Sequence, residues 1–195
     1  MIKLRLTPQI IMALTYTPHL DTTFTCPDFK LPGVNGKTYS RADFENTAAL
    51  LVLFICNHCP YVKAIEDRLI KLGEFMKTQQ LQMVAICSND ADNYPEDSLE
   101  KLKQRWTEKK YTFPYLYDES QSVAKSFGAV CTPDFFLFDK NLKLTYRGRL
   151  DDSWKEPDKV TVEELKNAIV AQLKGEPTNP IQIPSMGCNI KWKKA

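Results

Sequence analysis

Two kinds of apolar pattern alternate along this chain: short unbroken runs, and stripes with spacings of three and four residues. The unbroken runs cover residues 48–55 and 81–87 and do not alternate with polar residues. Such runs are typical of central strands that are covered on both faces. Between them, a stripe over residues 60–77 predicts an amphipathic helix. A strand, a helix and a strand in this order predict a parallel pair with a right-handed crossover.

Further patterns predict a β-hairpin near the N-terminus and an antiparallel pair near the C-terminus. The Asn35-Gly36 dipeptide, which tolerates positive φ, lies between two short apolar segments and predicts the hairpin. Residues 134–138 and 142–149 flank a polar turn and predict the antiparallel pair. Residues 115–117 predict one more short strand.

Three more helices are predicted from capping signals and apolar stripes. Asp97 and Thr161 are each followed three residues later by glutamate, a pattern that predicts a capping box at the start of a helix. Gly128 predicts the end of the helix between these two, because glycine just after a helix readily adopts positive φ. Together these elements predict an α/β protein with a mixed sheet.

The composition fits one domain with a short segment at each end. The 195 residues are 43% hydrophobic and 26% charged, which is enough to bury a core without disulfides. We predict an N-terminal extension at residues 1–20, a domain at 21–175 and a tail at 176–195. The extension lacks clear periodicity, so we expect it to be loosely held. The tail contains several large apolar residues, so we expect it to pack on the domain.

Charge and hydropathy give no reason to expect nucleic acid or a membrane as a partner. The net charge is +2, and no apolar run approaches the roughly 18 residues of a membrane span. The apolar stretch that follows Lys3 and Arg5 is too short for an export signal. We therefore expect a cytoplasmic location, in which the six cysteines are mostly thiols.

Cys56 and Cys59 form a C-x-x-C pair at the junction of the first central strand and the helix that Pro60 opens. The free N–H groups at the start of a helix favour an anion. We therefore predict that Cys56 is exposed and that its pKa is lowered. A thiolate at Cys56 can attack a disulfide, and Cys59 can then resolve the mixed disulfide. Asn57 and His58, together with Pro60, are predicted to tune the pair.

Metal binding is the rival interpretation of the C-x-x-C pair. A structural zinc site has four ligands, commonly from two such pairs. This chain has one pair, and its other candidate ligands, Cys131, Cys188 and His19, are scattered along the sequence. Redox chemistry is therefore favoured. A metal site and an inactive site are the alternatives.

The order of elements, with C-x-x-C after the first central strand and Thr132-Pro133 before a later strand, resembles the thioredoxin fold. The N-terminal hairpin and an insertion between the two halves, at about residues 89–128, are similar to the peroxiredoxin-like AhpC/TSA superfamily. More narrowly, the chain resembles a group of mostly bacterial thioredoxin family proteins through the segments FICNHCPYVKA, AVCTPDFFLFD, YRGRLDDS and MGCNIKWK. The resemblance implies a thioredoxin-like fold, with a central mixed sheet flanked by helices.

The resemblance also implies roles for residues outside the C-x-x-C pair. Pro133 is expected to be cis and to face the pair, and Thr132 is expected to bind the substrate backbone. Cys131 and Cys188 are possible secondary thiols. For Cys131, burial as a small apolar side chain is the favoured alternative, since free cysteine is among the most buried residue types. Cys188 is a candidate third redox thiol if it is accessible.

Comparison with the wider family predicts the reaction and its potential. Thioredoxins carry a buried carboxylate where this chain has Leu50, and peroxidases carry a threonine where it has Leu53. A protonated His58 stabilises the reduced thiolate, as in more oxidising relatives. We therefore predict a potential of roughly −240 to −150 mV, above the value of about −270 mV for thioredoxin.

The predicted function is a thiol–disulfide oxidoreductase that uses Cys56 and Cys59. Its partners are protein or small-molecule disulfides and a thiol reductant, and it needs no cofactor or metal. A thiol-dependent peroxidase is the alternative among enzymes, although the missing threonine disfavours it. A non-catalytic thioredoxin-fold binding module is the alternative outside enzymes.

Overall fold

The computed structural model describes residues 14–19, 21 and 23–194. Within these residues the strands are β1 Leu14–Tyr16, β2 Lys30–Pro32, β3 Thr38–Ser40, β4 Ala49–Phe54, β5 Gln82–Cys87, β6 Tyr115–Tyr117, β7 Cys131–Thr132, β8 Asp134–Asp139, β9 Leu144–Tyr146 and β10 Met186–Asn189. The α-helices are α1 Pro60–Thr78, α2 Leu99–Glu108, α3 Ser122–Phe127 and α4 Glu164–Leu173. Short 3-10 helices span Arg41–Phe44, Pro95–Asp97 and Pro157–Lys159.

A five-stranded mixed sheet forms the centre of the molecule, in the order β6-β5-β4-β8-β9. Strand β4 is parallel to β5 and antiparallel to β8, and all six of its residues are buried. Leu51 and Leu53 face a core on the side of α1, and Val52 and Phe54 face a second core that contains Phe136. The predicted α/β class with a mixed sheet flanked by helices is confirmed. The unbroken apolar run of β4 follows from burial on both faces.

Helix α1 positions the C-x-x-C pair at its N-terminal end. Pro60 occupies the first helical position and Cys59 is the N-cap residue. An apolar face packs the helix against the sheet and holds its first turn at the carboxyl end of β4. The buried residues of this face are Val62, Ile65, Leu69, Leu72 and Met76. No described helix is both long and apolar enough to cross a membrane.

A second sheet of three short strands joins the two ends of the described chain, in the order β1-β10-β7. Strand β10 pairs with β1 on one edge and with β7 on the other. The expectation of a loosely held N-terminal extension is therefore wrong for Leu14–Tyr16, because β10 offers these residues an edge to pair with. Residues 1–13 of that predicted extension, and with them most of the segment considered as an export signal, lie outside the described residues.

Both predicted capping boxes are wrong. Ser98, not Asp97, is the N-cap of α2, and its side chain accepts a hydrogen bond from the backbone N–H of Lys101. Glu163 occupies the N-cap position of α4. Thr161 instead donates a hydrogen bond to the carboxylate of Asp152. In both cases the side chain that was predicted to cap the helix is hydrogen-bonded to a residue outside that helix, Asp97 to His58 and Thr161 to Asp152.

Candidate active site

The C-x-x-C pair lies where four segments of the chain meet. Two are local, the carboxyl end of β4 and the first turn of α1. The other two are β7 and β10, which bring Thr132 and Cys188 against the sulfur atoms of Cys56 and Cys59. The insertion between β5 and β6 adds Asp97 beside the same loop. Cys56 and Cys59 are thiols in this structure.

Cys56 is less accessible than its sequence context predicted. Only 2% of its surface is exposed, and its Sγ lies 3.4 Å from Thr132 Oγ1 and 3.9 Å from His58 Nδ1. Burial raises the pKa of the Cys56 thiol, its contact with Cys59 adds to this, and the negative charge of Asp97 raises the pKa further. The prediction of an exposed Cys56 with a lowered pKa is therefore wrong. The start of the helix lies at Cys59, and remote segments cover Cys56.

Cys59 is the sulfur at which negative charge is favoured. It is fully buried, and its Sγ lies 3.0 Å from the Sγ of Cys188 and 3.1 Å from the carbonyl oxygen of Thr132. Its pKa is lowered, chiefly through its hydrogen-bond interaction with the side chain of Cys188 and then with that of Cys56. The Thr132 hydroxyl and the backbone N–H of Val62 act in the same direction, and burial opposes them. The N-terminal end of α1 thus favours a thiolate at Cys59 and not at Cys56.

The Thr132-Pro133 peptide bond is cis, as the resemblance implied. Thr132 reaches both sulfurs of the pair, Cys56 through its hydroxyl and Cys59 through its carbonyl. However, its backbone is already paired in this chain, because Thr132 lies opposite Cys188 in the β7–β10 ladder. The chain's own tail therefore occupies the edge that the resemblance assigned to a substrate. Binding of a substrate backbone by Thr132 stays a prediction.

Asp97 is the functional candidate that the sequence pattern missed. The residue is fully buried, and its Oδ2 lies 2.5 Å from Nδ1 of His58. The backbone N–H of Asn57 donates to Oδ1 at 2.8 Å, and the side chain of Asn89 donates to Oδ2 at 2.8 Å. Tyr94 stacks on the His58 ring with centroids 5.1 Å apart. No local signal could have identified Asp97, since it lies 39 residues from His58 in the sequence.

One group of side chains in the described residues has the arrangement of a possible metal site. The ligand atoms of Cys56, His58 and Asp97 lie within 4.8 Å of one another. These are three potential ligands of soft, intermediate and hard character. A tetrahedral zinc ion would need a fourth ligand from water or substrate. In this structure His58 Nδ1 is hydrogen-bonded to Asp97, a contact that a metal ion would have to replace.

Cys131, Cys87 and Cys26 are buried, and in the described residues none of them hydrogen-bonds to Cys56 or Cys59. Cys131 is 0% exposed, its Sγ lies 3.6 Å from the carbonyl oxygen of Pro133, and burial raises its pKa. Cys87 and Cys26 are also buried, and burial raises the pKa of each. Of the two proposed secondary thiols, the structure brings Cys188 into contact with the C-x-x-C pair. It leaves Cys131 on the neighbouring strand.

A cleft of about 160 Å³ opens beside the site. Its walls include Tyr61, Pro133, Trp154 and Met186, and the rings of Tyr61 and Trp154 lie 4.4 Å apart. Neither cysteine of the pair lines this cleft. It therefore adjoins the C-x-x-C pair through Tyr61 and Pro133 without giving direct access to either sulfur.

Comparisons with known proteins agree with this architecture. A family model described as Redoxin matches residues 22–169. An uncharacterised conserved protein from Geobacillus kaustophilus is 43% identical with a TM-score of 0.90, and the match covers 94% of this chain and 98% of that one. A hypothetical protein from Sinorhizobium meliloti is 42% identical with a TM-score of 0.89, over 93% of this chain and 100% of that one.

A more distant structure shares the fold. The thioredoxin domain of a thiol-disulfide oxidoreductase from Bacteroides vulgatus is 20% identical with a TM-score of 0.56, and the match covers 66% of this chain and 89% of that domain. The search of curated proteins gave no match.

Proposed function

The chain belongs to the Redoxin family, and on that premise we propose that it is a thiol–disulfide oxidoreductase with Cys56 and Cys59 as its redox centre. One observation supports this proposal above the others. Cys56 and Cys59 lie together as thiols at the start of α1, and Thr132, which precedes the cis proline, contacts both sulfurs. The lowered pKa of Cys59 favours a thiolate in this pair, and a thiolate next to a second thiol is the reduced state that disulfide exchange requires.

The reduced pair reacts in two steps. The Cys56 thiol gives its proton to the Cys59 thiolate, and the resulting Cys56 thiolate attacks one sulfur of a substrate disulfide. That disulfide breaks, its electron pair stays on the departing sulfur, and this sulfur takes the proton from Cys59. The Cys59 thiolate then attacks Cys56 Sγ, forms the Cys56–Cys59 disulfide and releases the second substrate thiolate. A thiol reductant returns the protein to the dithiol form.

His58 and Asp97 support the first of these steps. A protonated His58 balances the charge of Asp97 and adds a positive charge 3.9 Å from Cys56 Sγ. The carboxylate of Asp97 fixes the ring, because Nδ1 is directed at Oδ2. In this proposal His58 stabilises the Cys56 thiolate as it forms, and Asp97 is a positioning residue.

The proposal also covers the partners and the compartment. The substrates are protein or small-molecule disulfides, and the electron donor is a thiol reductant in the cytoplasm. The two sulfur atoms carry both electrons, so the proposed cycle uses no cofactor or metal. Strand β10 pairs with Thr132 in β7. In this proposal a protein substrate therefore reaches Cys56 after β10 separates from β7, or approaches Cys56 from a side other than the β7 edge.

Turnover and trapping with glutathione disulfide test the proposal. The wild type is expected to reduce glutathione disulfide with dithiothreitol as electron donor. Cys56→Ser should lower the initial rate of turnover by at least about 10²-fold, because the nucleophile is lost and Cys59 is buried. Cys59→Ser should accumulate a glutathione adduct on Cys56 that mass spectrometry detects. Cys131→Ala is the matched control and should retain turnover, because Cys131 is buried on the neighbouring strand. An initial rate in Cys56→Ser equal to that of the wild type would contradict the proposal.

A metal-binding module is the second candidate, since one observation favours it. Cys56, His58 and Asp97 form the three-ligand group described above. Stoichiometric zinc in the purified protein, lost in Asp97→Ala and accompanied by no disulfide turnover, would support this candidate. A protein that turns over disulfides without bound zinc would eliminate it.

A further inference from the structure

Strand β10 carries a third thiol into the redox centre. Cys188 lies opposite Thr132 in the β7–β10 ladder, and its Sγ lies 3.0 Å from the Sγ of Cys59. The side chains of Cys56 and Cys59 interact as well, and Thr132 contacts both sulfurs. Cys59 is therefore the middle sulfur of three, and the cycle proposed above uses only two of them.

Backbone packing fixes the position of this third thiol. At Gly187, the carbonyl oxygen of Thr132 lies 2.0 Å from the position that a Cβ atom would take, so any larger residue would push the strand away. On the same strand side, Ser185 Oγ donates a hydrogen bond to the carbonyl of Pro133 at 2.9 Å. Cys188 is 1% exposed and Cys59 is 0% exposed, so the two sulfurs meet inside the protein and away from solvent. The close approach of the two sulfurs is therefore set by the strand and not by a mobile side chain.

We propose that Cys188 is a third redox thiol, which forms a disulfide with Cys59 by exchange with the Cys56–Cys59 disulfide. The inference rests on the proposed function, because the first disulfide arises from reaction with a substrate disulfide. In the exchange, Cys188 Sγ attacks Cys59 Sγ, and the Cys56–Cys59 bond breaks with its electron pair on Cys56. The proton of Cys188 passes to Cys56. One disulfide and one thiol are present before and after, so no further oxidant is consumed.

The thiol of Cys188 becomes reactive only after Cys59 has been oxidised. The pKa of Cys188 is raised, chiefly by its hydrogen-bond interaction with Cys59, and burial adds to this. Once Cys59 is part of a disulfide, its negative charge is gone and the first cause disappears. The exchange then returns Cys56 to the thiol form while the protein stays oxidised. Cys56 is thereby free to meet a second disulfide while Cys59 is held by the tail.

Disulfide mapping of the full chain tests this inference. Wild type and variants are oxidised with excess glutathione disulfide, and their peptides are mapped without reduction. Cys56→Ser is expected to form a Cys59–Cys188 bridge and to lose two thiols. The wild type is expected to yield both the Cys56–Cys59 and the Cys59–Cys188 peptides, and Cys188→Ala only the first. The matched control Cys131→Ala should give the wild-type pattern, since its sulfur faces the Pro133 carbonyl.

The outcomes separate this inference from the proposed function. A wild type that maps only to Cys56–Cys59, with a Cys56→Ser variant that keeps its thiols or carries only glutathione, overturns the third thiol. Disulfide turnover by the same wild type would leave the proposed function standing. A wild type without turnover overturns the proposed function, whereas a Cys59–Cys188 bridge in folded Cys56→Ser would still support the third thiol. If Cys56→Ser does not fold, the wild-type map decides.

Discussion

Glu66 and Asp97 are both buried carboxylates, but only Glu66 has permanent positive charges against it. Glu66 accepts hydrogen bonds from the Arg105 guanidinium at 2.6 and 2.7 Å and from the Tyr111 hydroxyl at 2.6 Å, and Lys109 Nζ lies 3.0 Å away. Burial raises the pKa of Glu66, but the bonds from these three residues outweigh it and lower the pKa. The result is a charge-compensated cluster that ties α1 to α2.

Asp97 has neither arginine nor lysine among its hydrogen-bond partners in the described part of the chain. Its donors are Asn57, His58 and Asn89, so only a protonated His58 can balance its charge there. The same His58 ring lies 3.9 Å from the Cys56 sulfur, so Asp97 is linked to the C-x-x-C pair through that ring. Burial alone does not mark a functional carboxylate. We propose that the partners of each carboxylate set its role, stability for Glu66 and reactivity for Asp97.

The largest expected effect is the loss of reactivity in Asp97→Asn. Removing the charge leaves the His58 ring without the group that orients it, so we expect the rate of disulfide reduction at neutral pH to fall by about 10²- to 10³-fold, or about 3–4 kcal/mol. Stopped-flow kinetics of the reduced protein with glutathione disulfide measure this rate across a range of pH.

A double-mutant cycle shows whether Asp97 acts through His58. In a His58→Ala background, Asp97→Asn should cost little more, and the pH dependence of the two His58→Ala variants should coincide. Equal losses with and without His58 would contradict the role of Asp97 as a positioning residue and would reduce it to a structural carboxylate like Glu66.

A third buried carboxylate, Asp134, has one permanent cation beside it. Its pKa is raised, whereas that of Glu66 is lowered, so we expect its contribution to stability to fall as the pH rises. Burial raises its pKa from 3.8 to about 6, more than the charge of Arg147 at 2.9 Å lowers it. The folded protein therefore binds more protons than the unfolded chain between about pH 4 and pH 6. This stabilisation is complete below about pH 4 and is lost as the pH rises through about 6, a contribution of about 3 kcal/mol.

Urea unfolding of wild type and Asp134→Asn at a series of pH values measures this contribution. The difference between the two free energies of unfolding should change by about 3 kcal/mol from pH 4 to pH 7, with the wild type losing stability relative to the variant as the pH rises. A difference that stays constant over this range would show that Arg147 compensates Asp134 as fully as the two cations compensate Glu66.

Glu66→Gln is expected to lower the free energy of unfolding by about 2 kcal/mol, because the Tyr111 hydroxyl and the Arg105 guanidinium lose a charged acceptor. The rate of disulfide reduction by the folded variant should not change. Asp67→Asn is the matched control, since Asp67 is exposed and its pairing with Lys109 is 3.6 Å long. It should stay within about 0.5 kcal/mol of wild type. A fall in the rate of disulfide reduction in Glu66→Gln would contradict the proposal that Glu66 serves stability alone and Asp97 serves reactivity.

The smallest expected effect is on the redox potential. In the proposed role a protonated His58 stabilises the thiolate form of the reduced pair, so His58→Asn should lower the potential by about 30 mV, equivalent to about 1.4 kcal/mol. The wild-type potential is predicted to lie at roughly −240 to −150 mV. Equilibration with glutathione buffers measures both values. Tyr94→Phe is the control, because it keeps a ring stacked on His58. An unchanged or higher potential in His58→Asn would contradict the tuning role.

Elements with local signals could be predicted from the amino-acid sequence alone. The unbroken run of β4, Pro60 at the first position of α1 and the C-x-x-C pair between them all depend on residues within one strand or one helical turn. Burial on both faces selects the first feature, and the fixed φ of proline favours the second. These signals were sufficient for the mixed sheet, for the position of the redox pair and for the resemblance that placed a cis proline before β8.

Packing of distant segments determines which of the two sulfurs has the lowered pKa. The start of α1 lies close to both cysteines in the sequence, but the burial of Cys56 and the donors around Cys59 come from distant segments. Cys188 is 129 residues from Cys59, and Asp97 is 39 residues from His58. Leu50 stands where thioredoxins carry a buried carboxylate, and Asp97 from the insertion brings one to the site instead. A pKa depends on every charge and hydrogen bond that packing brings within a few ångströms, and no local pattern encodes these contacts.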